Sequence, residues 1–138
     1  MRMSALKVTT TRLWLDDVRR PPSGNWTWAR SVDEAVEILM TETVVEASLD
    51  NDLHPFEHDG LEVVEWMVEK RVFPRLVRVH TDNRFASTKM CGLLERCGYR
   101  SIPGRPRSFI RDGRPRMSPA EFMRRNFEHS PRANEKLR

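Results

Sequence analysis

Cysteine is scarce in this chain, with only Cys91 and Cys97 among 138 residues. That density excludes a disulfide scaffold, and no Cys/His grouping has the spacing of a zinc site. Both thiols are expected to be reduced and buried along a helix. Long apolar runs are absent as well. No stretch reaches the roughly 18 residues that a membrane-spanning helix needs. The N-terminus lacks the apolar core of a secretory signal, so the expectation is a cytoplasmic protein without membrane contact. No internal repeat is present. Aromatic residues are few, and no ladder of them runs through the most basic segment, where base stacking would require one.

Neither sign of charge dominates, but the two are unevenly spread. Residues 1–100 hold 14 Lys+Arg against 16 Asp+Glu, and residues 101–138 hold 10 against 4. The basic C-terminal extension can favour nucleic acid through counterion release, or can serve as a solvated terminus. The length suits a single domain with one core. We place a globular domain over residues 11–102 and a basic, partly disordered extension over 103–138.

Strand and helix signals alternate along the domain. Thr11 to Leu15 reads as a first strand and Trp26 to Arg30 as a second, separated by a loop containing Pro21-Pro22. Ser31 with Glu34 forms a capping box that opens a helix ending near Thr43, with Val32, Ala35, Val36, Leu39 and Met40 on one face. Val44 to Leu49 is a third strand. An eleven-residue polar loop, 50–60, leads to a helix from Gly60 to about Arg71 whose buried stripe is Leu61, Val64, Met67 and Val68. Leu76 to Val79 is a fourth strand. A helix from about Ser87 to Cys97 ends at Gly98, a natural left-handed cap. Tyr99 to Ile102 is a short fifth strand. Beyond Pro103, Phe109 to Arg114 is expected to form a hairpin around Asp112-Gly113. Ser118-Pro119-Ala120-Glu121 opens a further helix reaching about Glu128, and the last ten residues read as disordered. The alternation predicts an α/β fold with a mostly parallel sheet. Trp14, Trp26, Trp28 and Trp66 are expected in the core.

Three of the apolar runs end in ligand-capable groups. Leu13-Trp14-Leu15 meets Asp16-Asp17, Ser48-Leu49 meets Asp50-Asn51-Asp52, and Val77-Arg78-Val79 meets His80-Thr81-Asp82-Asn83. In an open parallel sheet the strand carboxyl ends share one edge, and ligands bind there. Asp50 and Asp52 fall on one side if extension persists. Adjacent carboxylates repel, so water, a cation or a basic group is expected to compensate them. Oxygen-only ligation by Asp16, Asp17, Asp50 and Asp52 suits Mg²⁺, and Mn²⁺ equally. Arg19 can clamp a phosphate bidentately, and Arg30 is a weaker candidate of the same kind. His80 is expected to protonate a leaving oxygen, with Thr81 and Asn83 bonding phosphate or sugar. Alternatively Asp50 attacks directly and forms an aspartyl-phosphate. His54, Glu57, His58 and Asp59 in the long loop either complete the pocket or stay solvated.

Four blocks in this order, Leu15 to Arg19 with Pro21-Pro22, Ser48 to Leu53, Gly60 to Trp66 and Val79 to Asn83, resemble the cyclic-phosphate processing receiver domains. The resemblance covers about residues 12–95. It implies a flavodoxin-like, receiver-type sheet with flanking helices and strand order 2-1-3-4-5. It implies that Asp16 and Asp17 match the cation-binding acidic pair, Asp50 the phosphoryl acceptor and Thr81 the phosphoryl-contacting hydroxyl. The lysine that receivers place after the fifth strand is missing, because Ser101-Ile102-Pro103 stands there. The implied role is metal-dependent phosphoester chemistry on a cyclic phosphate of a nucleotide or RNA end. The alternatives are a regulatory receiver modified at Asp50 and a nucleic-acid adaptor acting through the basic extension.

Overall fold

A computed structural model describes residues 9–53 and 58–113 of the chain. The expected frayed start, His54, Glu57, the helix over 118–128 and the disordered last ten residues lie outside the described residues. The elements are β1 (Thr10–Leu15), β2 (Thr27–Ala29), α1 (Val32–Thr41), β3 (Thr43–Leu49), α2 (Gly60–Lys70), β4 (Leu76–Val79), α3 (Arg84–Arg96), β5 (Arg100–Ser101) and β6 (Ser108–Ile110). They build a mixed six-stranded sheet of order β2-β1-β3-β4-β6-β5 with flanking helices, a receiver-like, flavodoxin-like α/β fold. Among the described residues no helix is long and apolar enough to cross a membrane.

The helices begin where local chemistry satisfies their first amides. Ser31 accepts from Glu34 N–H ahead of α1, Asp59 from Glu62 N–H ahead of α2, and Asn83 from Ala86 N–H ahead of α3. The cap at Asn83 starts α3 three residues earlier than the apolar spacing predicts. Met40, expected on the buried face of α1, is 69% exposed. It lies at the end of a ten-residue helix, and Ala35 and Leu39 carry the burial.

Handedness decides where the helices lie. The crossovers β2–α1–β3, β3–α2–β4 and β4–α3–β5 all run the same way across the sheet, so the right-handed rule puts all three helices on one face. One core results, in which Leu13, Leu15, Ala47, Leu49, Val77, Val79 and Phe109 of the strands meet Leu39, Val63, Met67, Met90 and Leu94 of the helices. The β1-to-β2 connection runs the other way, and a helix there would cover the second face. The Pro21-Pro22 loop stands there instead. The second face therefore carries the other strand parity, Arg12, Trp14, Glu46, Ser48, Leu76, Arg78, Ser108 and Ile110.

The fifth position of the sheet departs from the order 2-1-3-4-5. β6 folds back and pairs antiparallel with both β4 and β5, which moves β5 to the edge. The hairpin expected around Asp112-Gly113 is instead closed by residues 102–107, where Ile102 N–H bonds to Ser108 O and Arg105 N–H to Ile102 O. The sheet thus takes in residues that the sequence reading assigned to the extension.

The base of the 50–60 loop is closed by Asn51. Its carbonyl accepts from Gly60 N–H at 2.9 Å and its side-chain oxygen from Leu61 N–H at 3.1 Å. A Cβ on Gly60 would lie 1.8 Å from the backbone oxygen of Asp50. Gly60→Ala is therefore expected to destabilise the protein by about 2–4 kcal/mol, a fall in Tm of roughly 10 °C or more. A thermal melt within about 2 °C of the parent would mean that the loop base opens without cost.

Candidate functional site

Three backbone bonds extend the parallel ladder one residue beyond each strand. Asp16 N–H bonds to Ala29 O, Asp50 N–H to Leu15 O and His80 N–H to Leu49 O. Asp16, Asp50 and His80 thereby line up at the carboxyl edge of β1, β3 and β4. Asp16, Asp17 and Asp50 each bring one carboxylate oxygen to within 4.8 Å of the others. Asp52 lies apart from this trio, accepting from Asn51 Nδ2 and Asn83 Nδ2, both at 3.1 Å. Extension does not persist past Asp50, so the alternation expected to bring Asp52 alongside it fails. Three hard oxygen donors in mutual repulsion fit Mg²⁺ or Mn²⁺.

Asp16 is almost fully buried. Its Oδ1 accepts from Val18 N–H at 2.9 Å and Arg19 N–H at 2.7 Å, and its Oδ2 lies 3.0 Å from His80 Nε2. His80 Nδ1 lies 2.7 Å from Ser48 Oγ, and the ring stacks on Trp14 with centroids 4.1 Å apart. Both ring nitrogens are thus engaged within the protein. Burial lowers the imidazole pKa, and the bond to Asp16 partly offsets that shift. The proton-donor role expected of His80 does not fit this geometry. The ring instead braces the buried Asp16 carboxylate.

Asp50 is half-buried. Its pKa is pushed up to about 6, first by desolvation and then by the charge of Asp16. The Thr81 hydroxyl and Asn51 N–H pull it back by hydrogen-bonding the carboxylate. Thr81 itself is buried and also accepts from Asn83 N–H. Arg19 forms an ion pair with Asp82 across the mouth of the site, which raises the guanidinium pKa, and it also feels the charges of Asp16 and Asp50. Arg30 lies over the Trp28 ring at 4.4 Å. Asn83 is the α3 cap. In the long loop, His58 pairs with Glu62 and Asp59 caps α2.

A family profile for the cyclic-phosphate processing receiver domain matches residues 11–96, which span β1 to α3 and all of these groups except those of β5 and β6. The chain belongs to this family. No curated protein and no solved structure gives a significant match. The receiver-domain match ends before the β5–β6 hairpin. That hairpin supplies a group that motif reading passes over, Arg107, whose guanidinium donates to the carbonyl oxygen of Thr81. Ser48, Trp14 and Asp82 are likewise silent in the sequence, because only register and loop closure place them beside His80 and Arg19.

Two outcomes follow for this receiver domain. A carboxyl whose folded pKa is raised stabilises the fold fully below its ordinary value of 3.8 and loses that contribution as pH rises through about 6. Metal-free protein should therefore lose on the order of 1–3 kcal/mol between pH 4 and 7 from Asp50. Asp50→Asn should remove that slope and be the more stable protein at pH 7.5. Urea unfolding in chelator across this range measures both, and parallel pH profiles would mean that Asp50 ionises without penalty. His80→Phe keeps an aromatic ring on Trp14 but loses both bonds, so calorimetric Mn²⁺ affinity should fall about 10–100-fold.

Proposed function

We propose that this receiver domain is a divalent-cation-dependent phosphoesterase that opens a cyclic phosphate on a nucleotide or RNA end. The observation that carries the reading is the convergence of Asp16, Asp17 and Asp50 within 4.8 Å at the strand carboxyl edge, in a family described by cyclic-phosphate processing. These three carboxylates would hold Mg²⁺ or Mn²⁺, which would supply Lewis-acid neutralisation of phosphate charge. Asp52 and Asn83, engaged with each other, frame the site rather than enter it.

The chain's own groups divide the remaining work. Arg19 stands exposed at the mouth with Asp82 as its partner, and a phosphate can take the place of that carboxylate in a bidentate contact. The Thr81 hydroxyl, now on Asp50, is placed to donate to a phosphate oxygen. Asp50, a carboxylate at the strand carboxyl edge, can take a proton from attacking water. Water adds its hydroxyl to phosphorus, one ring ester bond breaks, and the departing oxygen receives the proton, which leaves a phosphomonoester. His80 takes no part in the transfer and holds Asp16.

The contact of Thr81 with Asp50 also favours a second reading, in which Asp50 itself accepts a phosphoryl group and the domain is regulatory. A turnover panel separates the two. It comprises 2′,3′-cyclic nucleotides, 3′,5′-cyclic nucleotides and RNA ending in a cyclic phosphate, each with Mg²⁺, with chelator and with Asp50→Asn. Metal-dependent product that the variant fails to form is the expected result. No turnover in any lane, with stable labelling of Asp50 by an acyl phosphate, would replace the esterase with the regulatory reading. On the active substrate, Arg19→Ala should raise KM about ten-fold or more with a smaller change in kcat, and an unchanged KM would remove Arg19 from phosphate binding.

A further inference from the structure

A groove of about 900 Å³ opens beside the carboxyl edge, between α3 and the turn that precedes β6. Thr81 and Asp82 stand at its near end. Arg84, Thr88 and Glu95 follow along one side of α3, and the hairpin contributes Arg107. From Arg84 to Glu95 the helix rises about 16 Å, several times the roughly 3.4 Å step of a stacked nucleic-acid strand. The groove is therefore continuous with the phosphate end of the site and longer than one nucleotide requires.

Exposed arginines set its charge. Among the described residues neither Arg84 nor Arg107 has a carboxylate partner. Arg107 donates to the carbonyl oxygen of Thr81, and a guanidinium carries five N–H donors, so others can reach a ligand. Gly92 also lines the groove, and a guanidinium nitrogen of Arg96 lies 3.6 Å from where a Cβ on Gly92 would stand. Of the two acids, Asp82 is held by Arg19 and Glu95 lies at the far end. Phe85, beside Arg84 in the first turn of α3, is 73% exposed, with the Lys89 ammonium 4.4 Å from its ring centroid. Cations along a groove with an exposed ring next to them are the pattern that binds single-stranded nucleic acid.

We infer that this groove holds the strand of an RNA whose 3′ end carries the cyclic phosphate, with Arg84 and Arg107 on the phosphates that precede the end and Phe85 against a base. On the esterase reading above, which this assignment requires, the reacting phosphate sits at Thr81, where the groove begins. A cyclic phosphate at a strand end joins the 2′ and 3′ oxygens. The rest of the strand then leaves through the 5′ oxygen and lies along the protein surface beside the site. A free cyclic nucleotide has no such strand and leaves the arginines unused, so the groove favours an RNA end over a cyclic mononucleotide.

The test is binding of a 5′-fluorescein RNA octamer ending in a 2′,3′-cyclic phosphate to the full chain in Mg²⁺, read by fluorescence polarisation. Substrate and phosphomonoester product carry the same strand, so the groove is read whether or not turnover occurs. Arg84→Gln and Arg107→Gln should each weaken binding about five-fold or more and flatten the slope of log Kd against log salt by about 0.7, the single-strand value per phosphate contact. Lys70→Gln on α2, with the same change of charge, should leave both as in the parent. A 2′,3′-cyclic mononucleotide should compete only at concentrations about ten-fold or more higher than the unlabelled octamer. Thermal melts check the fold, and if Arg107→Gln unfolds, the exposed Arg84 decides alone. No octamer binding overturns the inference, as do unchanged affinity in the arginine variants, equal loss in all three variants, or equal competition by the mononucleotide. Any of these beside metal-dependent turnover leaves the esterase standing without the groove. The expected losses without turnover keep the strand site and remove the esterase.

Discussion

Everything at the carboxyl edge depends on a carboxylate that has been taken out of water. Asp16 is almost wholly buried, and an isolated charge in that position would cost more than the fold could tolerate. Two backbone amides on one oxygen and an imidazole on the other replace the lost hydration. The amides come from Val18 and Arg19, so the bonds that hold Asp16 also curl the β1 loop and set the backbone of Arg19. The imidazole is fixed by Ser48 beneath it and Trp14 against its face. Trp28 donates to the backbone oxygen of Asp16 and Trp14 to that of Arg19, at 2.6 and 2.8 Å. The cluster is thus a framed charge, rigid before any ligand arrives.

That rigidity explains why Asp50 is uncomfortable. The ladder bond to Leu15 fixes its backbone beside an anion that cannot move away, and partial burial removes the solvent that would screen the repulsion. The nearby compensating group, Arg19, is drawn outward by Asp82. The exposed pair at the mouth holds weakly in water, as surface ion pairs do. The fold therefore leaves negative charge inside and a loosely held cation at the rim, which is the electrostatic pattern that a cation with a phosphate would satisfy.

Much of this was legible in the sequence because it depends on strand ends. Once three apolar runs are read as parallel strands, Asp16, Asp50 and His80 must share an edge, and the acidic trio follows. The roles of single residues depend on finer geometry. Asp52 was misplaced because strand alternation was carried one step into a loop that turns at Asn51. His80 reads as a proton donor when its neighbours are unknown, and Ser48 and Asp16 are 32 and 64 residues away from it along the chain. Asn83 caps α3 through its Oδ1, a role that apolar spacing alone does not reveal. The β5–β6 hairpin was missed because three-residue strands give too little periodicity to place a return pairing.

The same hairpin accounts for the missing lysine. In the 2-1-3-4-5 arrangement implied by the resemblance, the fifth strand adjoins the fourth, and a side chain at its end reaches the phosphoryl site. Here β6 occupies that place, and β5 lies one strand further out, roughly 10 Å from β4. A lysine after Ser101 would be at the wrong distance, so Ser101-Ile102-Pro103 removes nothing that the topology could use. The position beside the end of β4 belongs instead to the residue that precedes β6. Arg107 stands there, with φ +54°, a left-handed conformation that costs a non-glycine residue about 1–2 kcal/mol. Its carbonyl accepts from Val79 N–H and its guanidinium donates to the carbonyl of Thr81. The cation at this end of β4 is therefore tied to the backbone that carries the Asp50 hydroxyl partner. The departure of the hairpin from the receiver pattern and the absence of the lysine are one topological change seen twice.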